Sequence, residues 1–133
     1  MRPITFRYLR YKGVPAPIIP VALRGPHGWQ RVLAYVDSGA SYSILSTRVA
    51  EEMGLRAERG HAIYVLVGDG SAIPVYLHRL PLRIGPIELT APIGFSPRLG
   101  VGFNLLGRQD IFTHFDITFS DATRRVIFRP RSR

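Results

Sequence analysis

The sequence predicts an all-β chain closed into a barrel with one or two short helices. Three observations carry this. Apolar residues fall into short runs or alternate with polar ones, the pattern of strands rather than of amphipathic helices. Clusters of Gly, Pro and Asp separate those runs at short intervals. At 133 residues, with 46% apolar and 20% charged side chains, the chain can bury one core without staples and is too apolar to be disordered. Residues 1–133 are expected to form a single domain, without internal repeat or linker.

Each element follows in order. Thr5-Phe6-Arg7-Tyr8-Leu9-Arg10-Tyr11 alternates until Gly13 and Pro15 break it. A second strand, Ile18 to Leu23, closes in the turn Gly25-Pro26-His27-Gly28, and a third runs from Gln30 to Val36. Ser46 to Gly54 reads as a short helix with Ser46 or Thr47 as cap and Gly54 as stop. His61 to Val67 and Ala72 to Leu77 flank Gly68-Asp69-Gly70-Ser71, a hairpin signal. Leu80 to Ile84 pairs with Ile87 to Ile93 across Gly85-Pro86. A loop over Ser96 to Phe103 precedes a short Leu105-Leu106 strand, and Arg108 to His114 is expected to make a helical turn or two. Phe115 to Phe119 and Arg125 to Phe128 form a last hairpin across Asp121-Ala122.

Composition excludes several function classes. With no cysteine there are no disulfides and no thiolate metal sites, and the redox compartment is not encoded. His27, His61, His78 and His114 lack metal-ligand spacing and are read as surface or turn residues, so no metal is expected. Gly68-Asp69-Gly70-Ser71 lies between strands and opens no helix, which excludes a phosphate loop; no cofactor is expected. No run approaches the roughly 18 apolar residues of a membrane span, and Met1 to Arg7 alternates charge with apolar bulk, unlike a signal peptide. The expectation is a cytoplasmic protein with no membrane partner. The net charge of +9 raises nucleic-acid binding as an option. Yet the basic residues, all but Lys12 arginine, are scattered from Arg7 to Arg129, and the cluster Arg129-Pro130-Arg131-Ser132-Arg133 reads as a solvated end. A basic nucleic-acid-binding β-barrel is therefore the least favoured reading.

Chemistry concentrates in two stretches. Val32-Leu33-Ala34-Tyr35-Val36 delivers a carboxylate, Asp37, into the tight turn Ser38-Gly39-Ala40, followed by Ser41 and the apolar pair Ile44-Leu45. Far downstream, Asn104-Leu105-Leu106-Gly107-Arg108 ends a second apolar stretch in glycine. Asp, Ser and Gly all favour turns, so the tripeptide alone is an ordinary turn; the flanking strand and the second stretch give it meaning.

Together they resemble the two signatures of retropepsin-like aspartic proteases, Asp-Thr/Ser-Gly-Ala and then two hydrophobic residues with a glycine. The resemblance spans about residues 17–129, and the order of elements agrees with that fold. It implies an aspartic endopeptidase that hydrolyses peptide or protein substrates. Such chemistry needs two aspartates and this chain has one Asp-Ser-Gly, so it implies a homodimer with one Asp37 from each subunit. Gly39 would let backbone N–H groups approach the carboxylates, Ser38 would reach across the dimer axis, and Ala40 would leave room for substrate. Leu105, Leu106 and Gly107 would support the turn from beneath. Val67, Gly68, Asp69, Gly70 and Ser71 would form a flap over bound peptide, with a tip more polar than in viral enzymes. In those enzymes the arginine of this stretch pairs with an acid just past the Ala; here Ser41 stands there, so Asp110 or the partner subunit is expected to face Arg108. Tyr64 and Tyr76 are expected to pack against the barrel, and Trp29 to anchor its core or rim. Dimer contacts are expected from the turns, the flaps and the terminal strands, Thr5 to Tyr11 or Val126 to Pro130. The alternative is an inactive dimeric peptide-binding or regulatory module of the same fold.

Overall fold

A computed structural model describes residues 2–99 and 103–131. Its strands, in chain order, are β1 (Ile4–Arg7), β2 (Leu9–Tyr11), β3 (Val14–Ala16), β4 (Ile18–Gly25), β5 (Gly28–Val36) and β6 (Ser43–Ser46). After the helix α1 (Thr47–Glu52) and a 3-10 turn at Ala57–Arg59 come β7 (His61–Leu66), β8 (Ala72–Ile84) and β9 (Ile87–Ser96). The chain ends with β10 (Asn104–Leu106), β11 (Phe115–Ser120) and β12 (Arg125–Pro130). Strands dominate, as the alternation predicts.

Seven strands form one sheet in the order β4-β5-β10-β6-β9-β8-β7, and a further β4–β8 pairing brings the edge strand β4 round onto β8. That curl encloses the main core, built on Ile19, Leu23, Val36, Met53, Leu82, Phe95 and Leu106 among others. A second, smaller cluster of Ile44, Ile73 and Val75 sits under the β7–β8 hairpin, with Ile63, Val65 and Val67 packed against it. Three strands, β1-β12-β11, form a separate antiparallel sheet, and β2-β3 a two-stranded one.

Several boundaries differ from expectation. The first predicted strand is divided at Tyr8: Ile4–Arg7 pairs with β12, whereas Leu9–Tyr11 turns back onto Val14–Ala16. Lys12 and Gly13 make that return with positive φ, so Gly13 and Pro15 mark a hairpin and not a simple break. The strands expected to part between Leu77 and Leu80 are continuous, because β8 changes partner along its length. Its first half pairs with β7, its second with β9, and Leu82 and Arg83 also meet β4. Ser46 stands at the helix N-cap but makes no side-chain capping bond. Arg108 to His114 contains a single turn closed by Phe112 N–H donating to Arg108 O at 3.0 Å. Of the expected Ser96–Phe103 loop, Ser96 belongs to β9, and residues 100–102 lie outside the described residues.

Candidate active site

The site begins with strand period. Val36 is buried in the core, so Tyr35 and Asp37, one residue to either side, turn to the opposite face. Strand β10 runs parallel beside β5, with Leu105 opposite Tyr35 and Leu106 opposite Val36, and Asp37 N–H donates to Leu106 O at 3.0 Å. The turn then closes on itself. Gly39 N–H donates to Asp37 Oδ1 at 2.9 Å and Ala40 N–H to Asp37 O at 3.2 Å. A Cβ on Gly39 would lie 3.3 Å from the same carboxylate oxygen, so the glycine keeps that oxygen uncrowded.

The second stretch clasps the turn from behind. Arg108 N–H donates to Ala40 O at 2.9 Å and Gln109 N–H to Ser41 O at 2.8 Å. Gly107 N–H donates to Ser43 Oγ at 2.9 Å, and Ser43 is fully buried. A Cβ at Gly107 would overlap the Tyr42 carbonyl and come within 2.9 Å of Ala40 O. Only glycine fits, because the two chain segments touch backbone to backbone there. Asp37 is left half-buried and Ser38 exposed.

A cleft of about 840 Å³ opens over this turn. Asp37, Gly39 and Ala40 lie in its floor together with Ile44 and Leu105, and Val65 to Asp69 with Ser71 line it from the β7–β8 hairpin. Tyr35 and Phe103 form an aromatic wall, their rings stacked 4.8 Å apart at 21°. Tyr11, from the β2–β3 hairpin, braces Phe103 edge-on at 4.9 Å. At the hairpin tip, Val67 N–H donates to Ser71 O and Gly70 N–H to Val67 O, both at 2.9 Å. Asp69 Oδ1 accepts from Ser71 Oγ at 2.6 Å and from Ser71 N–H at 2.9 Å. The hydroxyl first and the amide second hold the Asp69 carboxyl below its ordinary value.

The family model for aspartyl proteases matches residues 9–109. The chain belongs to the aspartyl protease family. Its fold is retropepsin-like. It is similar to a retropepsin-like aspartic protease from Rickettsia conorii, with a TM-score of 0.69 and 17% identity over 96% of this chain and 98% of that one. It is also similar to EIAV protease complexed with the inhibitor HBY-793, with a TM-score of 0.56 and 17% identity over 79% of this chain and 92% of that one. No curated protein matches the sequence significantly. At such identity the likeness is one of fold, held by packing and topology while the side chains have diverged.

In this aspartyl protease, the two motif stretches, separate in sequence, meet at the turn, and Val67, Gly68, Asp69 and Ser71 face them across the cleft. Other expectations need correction. Asp110 is the counterion of Arg79, at 3.2 Å, and not of Arg108, which lies exposed and makes no ion pair among the described residues. The single turn at 108–112 aims Asp110, itself at φ 58°, toward β8. Tyr64 is 76% exposed: β7 is an edge strand, so only its Ile63 and Val65 face meets the core, whereas Tyr76 does pack against it. Trp29 lies at the rim under the Arg83 guanidinium, 3.9 Å from its ring centre. His78 is not a surface residue but a half-buried brace, its Nε2 2.9 Å from Ala57 O and its ring edge-on to Phe95.

Sequence reasoning missed Ser43, Tyr35, Phe103 and Leu99 as parts of the site. Two of these had a signal. Tyr35 stands two residues before Asp37 and Phe103 two before Leu105, the spacing that puts residues on one face of an extended chain. Ser43 had none: it stands among Ser41, Tyr42, Ser46 and Thr47, and nothing in the sequence separates its hydroxyl from theirs. Among the described residues no three His, Asp or Glu converge as a metal site, and no helix is long and apolar enough to cross a membrane.

Proposed function

We propose that the chain is an aspartic endopeptidase acting as a homodimer, with one Asp37 from each subunit in a shared dyad. One observation carries the reading: Asp37, half-buried, lines the floor of a cleft with one carboxylate oxygen held by Gly39 N–H. Two carboxylates about 3 Å apart cannot both ionise and so share a proton. The ionised Asp37 takes a proton from a bound water as that water attacks the scissile carbonyl, and the protonated one donates to the carbonyl oxygen. Collapse of the tetrahedral adduct breaks the C–N bond, and the amine leaves with a proton from the dyad. The pair titrates together, so no pKa belongs to either aspartate alone.

Ser38, Gly39 and Ala40 shape the turn; Leu105, Leu106 and Gly107 fix it. Val67, Gly68, Asp69, Gly70 and Ser71 act as a flap over an extended peptide. The Tyr35–Phe103 wall favours substrates with a large apolar or aromatic side chain beside the scissile bond. Residues 1–133 act as one domain, with a core of about residues 17–129, and need no cofactor.

The deciding experiment is digestion of a diverse peptide mixture by wild type and Asp37→Asn across a range of acidic to neutral pH. Cleavage by wild type alone, with a bell-shaped pH profile, is expected. A confirmed wild-type dimer that cuts nothing but binds peptides would replace this reading with that of an inactive peptide-binding module.

A further inference from the structure

Some of the arginines scattered along the sequence are gathered by the sheet. Val21 and Leu23 of β4, Val32 and Ala34 of β5, and Leu82 and Ile84 of β8 are buried. The residues that alternate with them therefore stand on the outer face. There, Ala22 has Arg31 opposite it on one side and Arg83 on the other. Arg24, the next outward residue of β4, stands opposite Trp29, and the Arg83 guanidinium lies 3.9 Å over the Trp29 ring. All three arginines are exposed. One carboxylate answers them: Glu88 Oε1 lies 3.4 Å from Arg83 Nε. Arg24 and Arg31 make no ion pair among the described residues. The face is left positive.

It also leads into the cleft. The outward positions of β5 are Trp29, Arg31, Leu33 and Tyr35, with Asp37 next in the same alternation. Tyr35 and Asp37 line the cleft, and Leu33, between them and Arg31, is an apolar side chain left 51% exposed. At about 3.3 Å per residue, Arg31 lies about 20 Å and Trp29 about 26 Å along the chain from Asp37. An extended peptide advances at the same rate. A chain leaving the cleft over Leu33 thus reaches the arginines roughly six to eight residues from the bond held at Asp37.

Resting on the endopeptidase reading, we propose that this outer face is a second substrate-binding site. It takes an acidic segment of the substrate, roughly six to eight residues from the scissile bond. Carboxylates of that segment pair with Arg24, Arg31 and Arg83, whose planar N–H forks match carboxylate geometry. Arg83 is held flat on Trp29, so it loses less freedom on binding. A nucleic acid fits this face less well. Single-strand binding needs open rings on which bases stack, and both rings here are engaged, Trp29 by Arg83 and Tyr35 by Phe103.

The test uses two peptides that share one cleaved core, taken from the digested mixture. They differ only at the sixth to eighth residues from the cut, which are Glu in one and Gln in the other. Wild type is expected to cut the Glu peptide with a KM about tenfold lower at equal kcat, as three exposed ion pairs would give. High salt should remove that advantage. Arg24→Glu/Arg31→Glu/Arg83→Glu is expected to reverse the preference while cutting the unextended core as wild type does. Arg24→Glu/Arg31→Glu keeps Arg83 on Trp29 and is expected to lose most of the preference, which preserves the test if the triple variant does not fold. Equal KM values in wild type, or an acid preference that survives charge reversal, would overturn the proposal. So would an equal gain from Glu residues placed within two positions of the cut. Tight binding of a labelled oligothymidylate that the variants abolish, with no gain from Glu, would give the face to nucleic acid instead. If wild type cuts no peptide, the endopeptidase reading fails by itself, and anisotropy of labelled hexaglutamate decides the face. Binding lost on charge reversal upholds the acidic site, and equal binding by wild type and variants overturns it.

Discussion

The Asp37 turn and the β7–β8 hairpin face each other across one cleft and are built in opposite ways. The turn is tied by backbone bonds to a distant segment: Asp37 to Leu106, Arg108 to Ala40 and Gln109 to Ser41. Among the described residues the hairpin tip makes hydrogen bonds only within itself, through Val67, Asp69, Gly70 and Ser71, and its residues from Gly68 to Ser71 are exposed. A fixed carboxylate needs neighbours that cannot yield, and a cover must open without unfolding the barrel. Long-range backbone contacts provide the first and local bonds the second. The hairpin's base is not loose, since Ile63, Val65 and Val67 pack on Ile44, Ile73 and Val75; the freedom is confined to its tip.

The largest effect should come from Gly107→Ala. A Cβ there meets the Tyr42 carbonyl and Ala40 O, both backbone, so no side chain can swing away. We expect a loss of about 3 kcal/mol or more in urea unfolding, at the upper end of overpacking costs, and a displaced Asp37 turn. Ser43→Ala comes next. It removes the acceptor of Gly107 N–H from a buried site, and leaving that donor unsatisfied should cost about 1–3 kcal/mol. An unchanged midpoint in the same measurement would mean that the turn is held by its other bonds alone.

Gly70→Ala probes the other side of the comparison. Gly70 has φ +85°, and nothing lies within 4 Å of an added Cβ. The cost is therefore backbone strain alone, about 1 kcal/mol, and should appear as faster amide exchange at Val67 to Ser71 with little change in global stability. If the whole protein loses as much as with Ser43→Ala, the tip is not an independent unit.

The smallest effect is one of pH. Ser71 holds the Asp69 carboxyl below its ordinary value of 3.8. Its contribution to tip order is thus fully present above that value and is lost as pH falls through the lower, folded one. Protection of the Gly70 and Ser71 amides, taken against their intrinsic exchange rate at each pH, should fall on acidification in wild type, and Asp69→Asn should remove that pH dependence.

Much of this could be read from the chain. Alternation gave the strands, Gly68 to Ser71 marked the hairpin turn between β7 and β8, and Asp37 followed by Ser-Gly-Ala marked the turn in the cleft floor. The partners were less legible. Two apolar strands such as Tyr35-Val36 and Leu105-Leu106 do not announce in sequence that they lie side by side and parallel, because many alternative pairings bury the same side chains. With Ser41 in place of an acid, Asp110 was one of two candidate counterions for Arg108, yet a single helical turn points Asp110 at Arg79. Tyr64 and Tyr76 looked alike, and only the edge position of β7 exposes the first.

The sequence by itself determined what each segment is able to be: strand, turn or helix, and which residue type can supply a carboxylate or tolerate close backbone contact. Tertiary structure decided which segments meet. It placed Gly107 beneath Tyr42, put Ser43 on its amide, and closed β12 between β1 and β11. Local periodicity is set by covalent geometry and is written in every residue. Long-range pairing is set by the one arrangement that buries all apolar faces and satisfies all backbone groups together, a property of the whole chain.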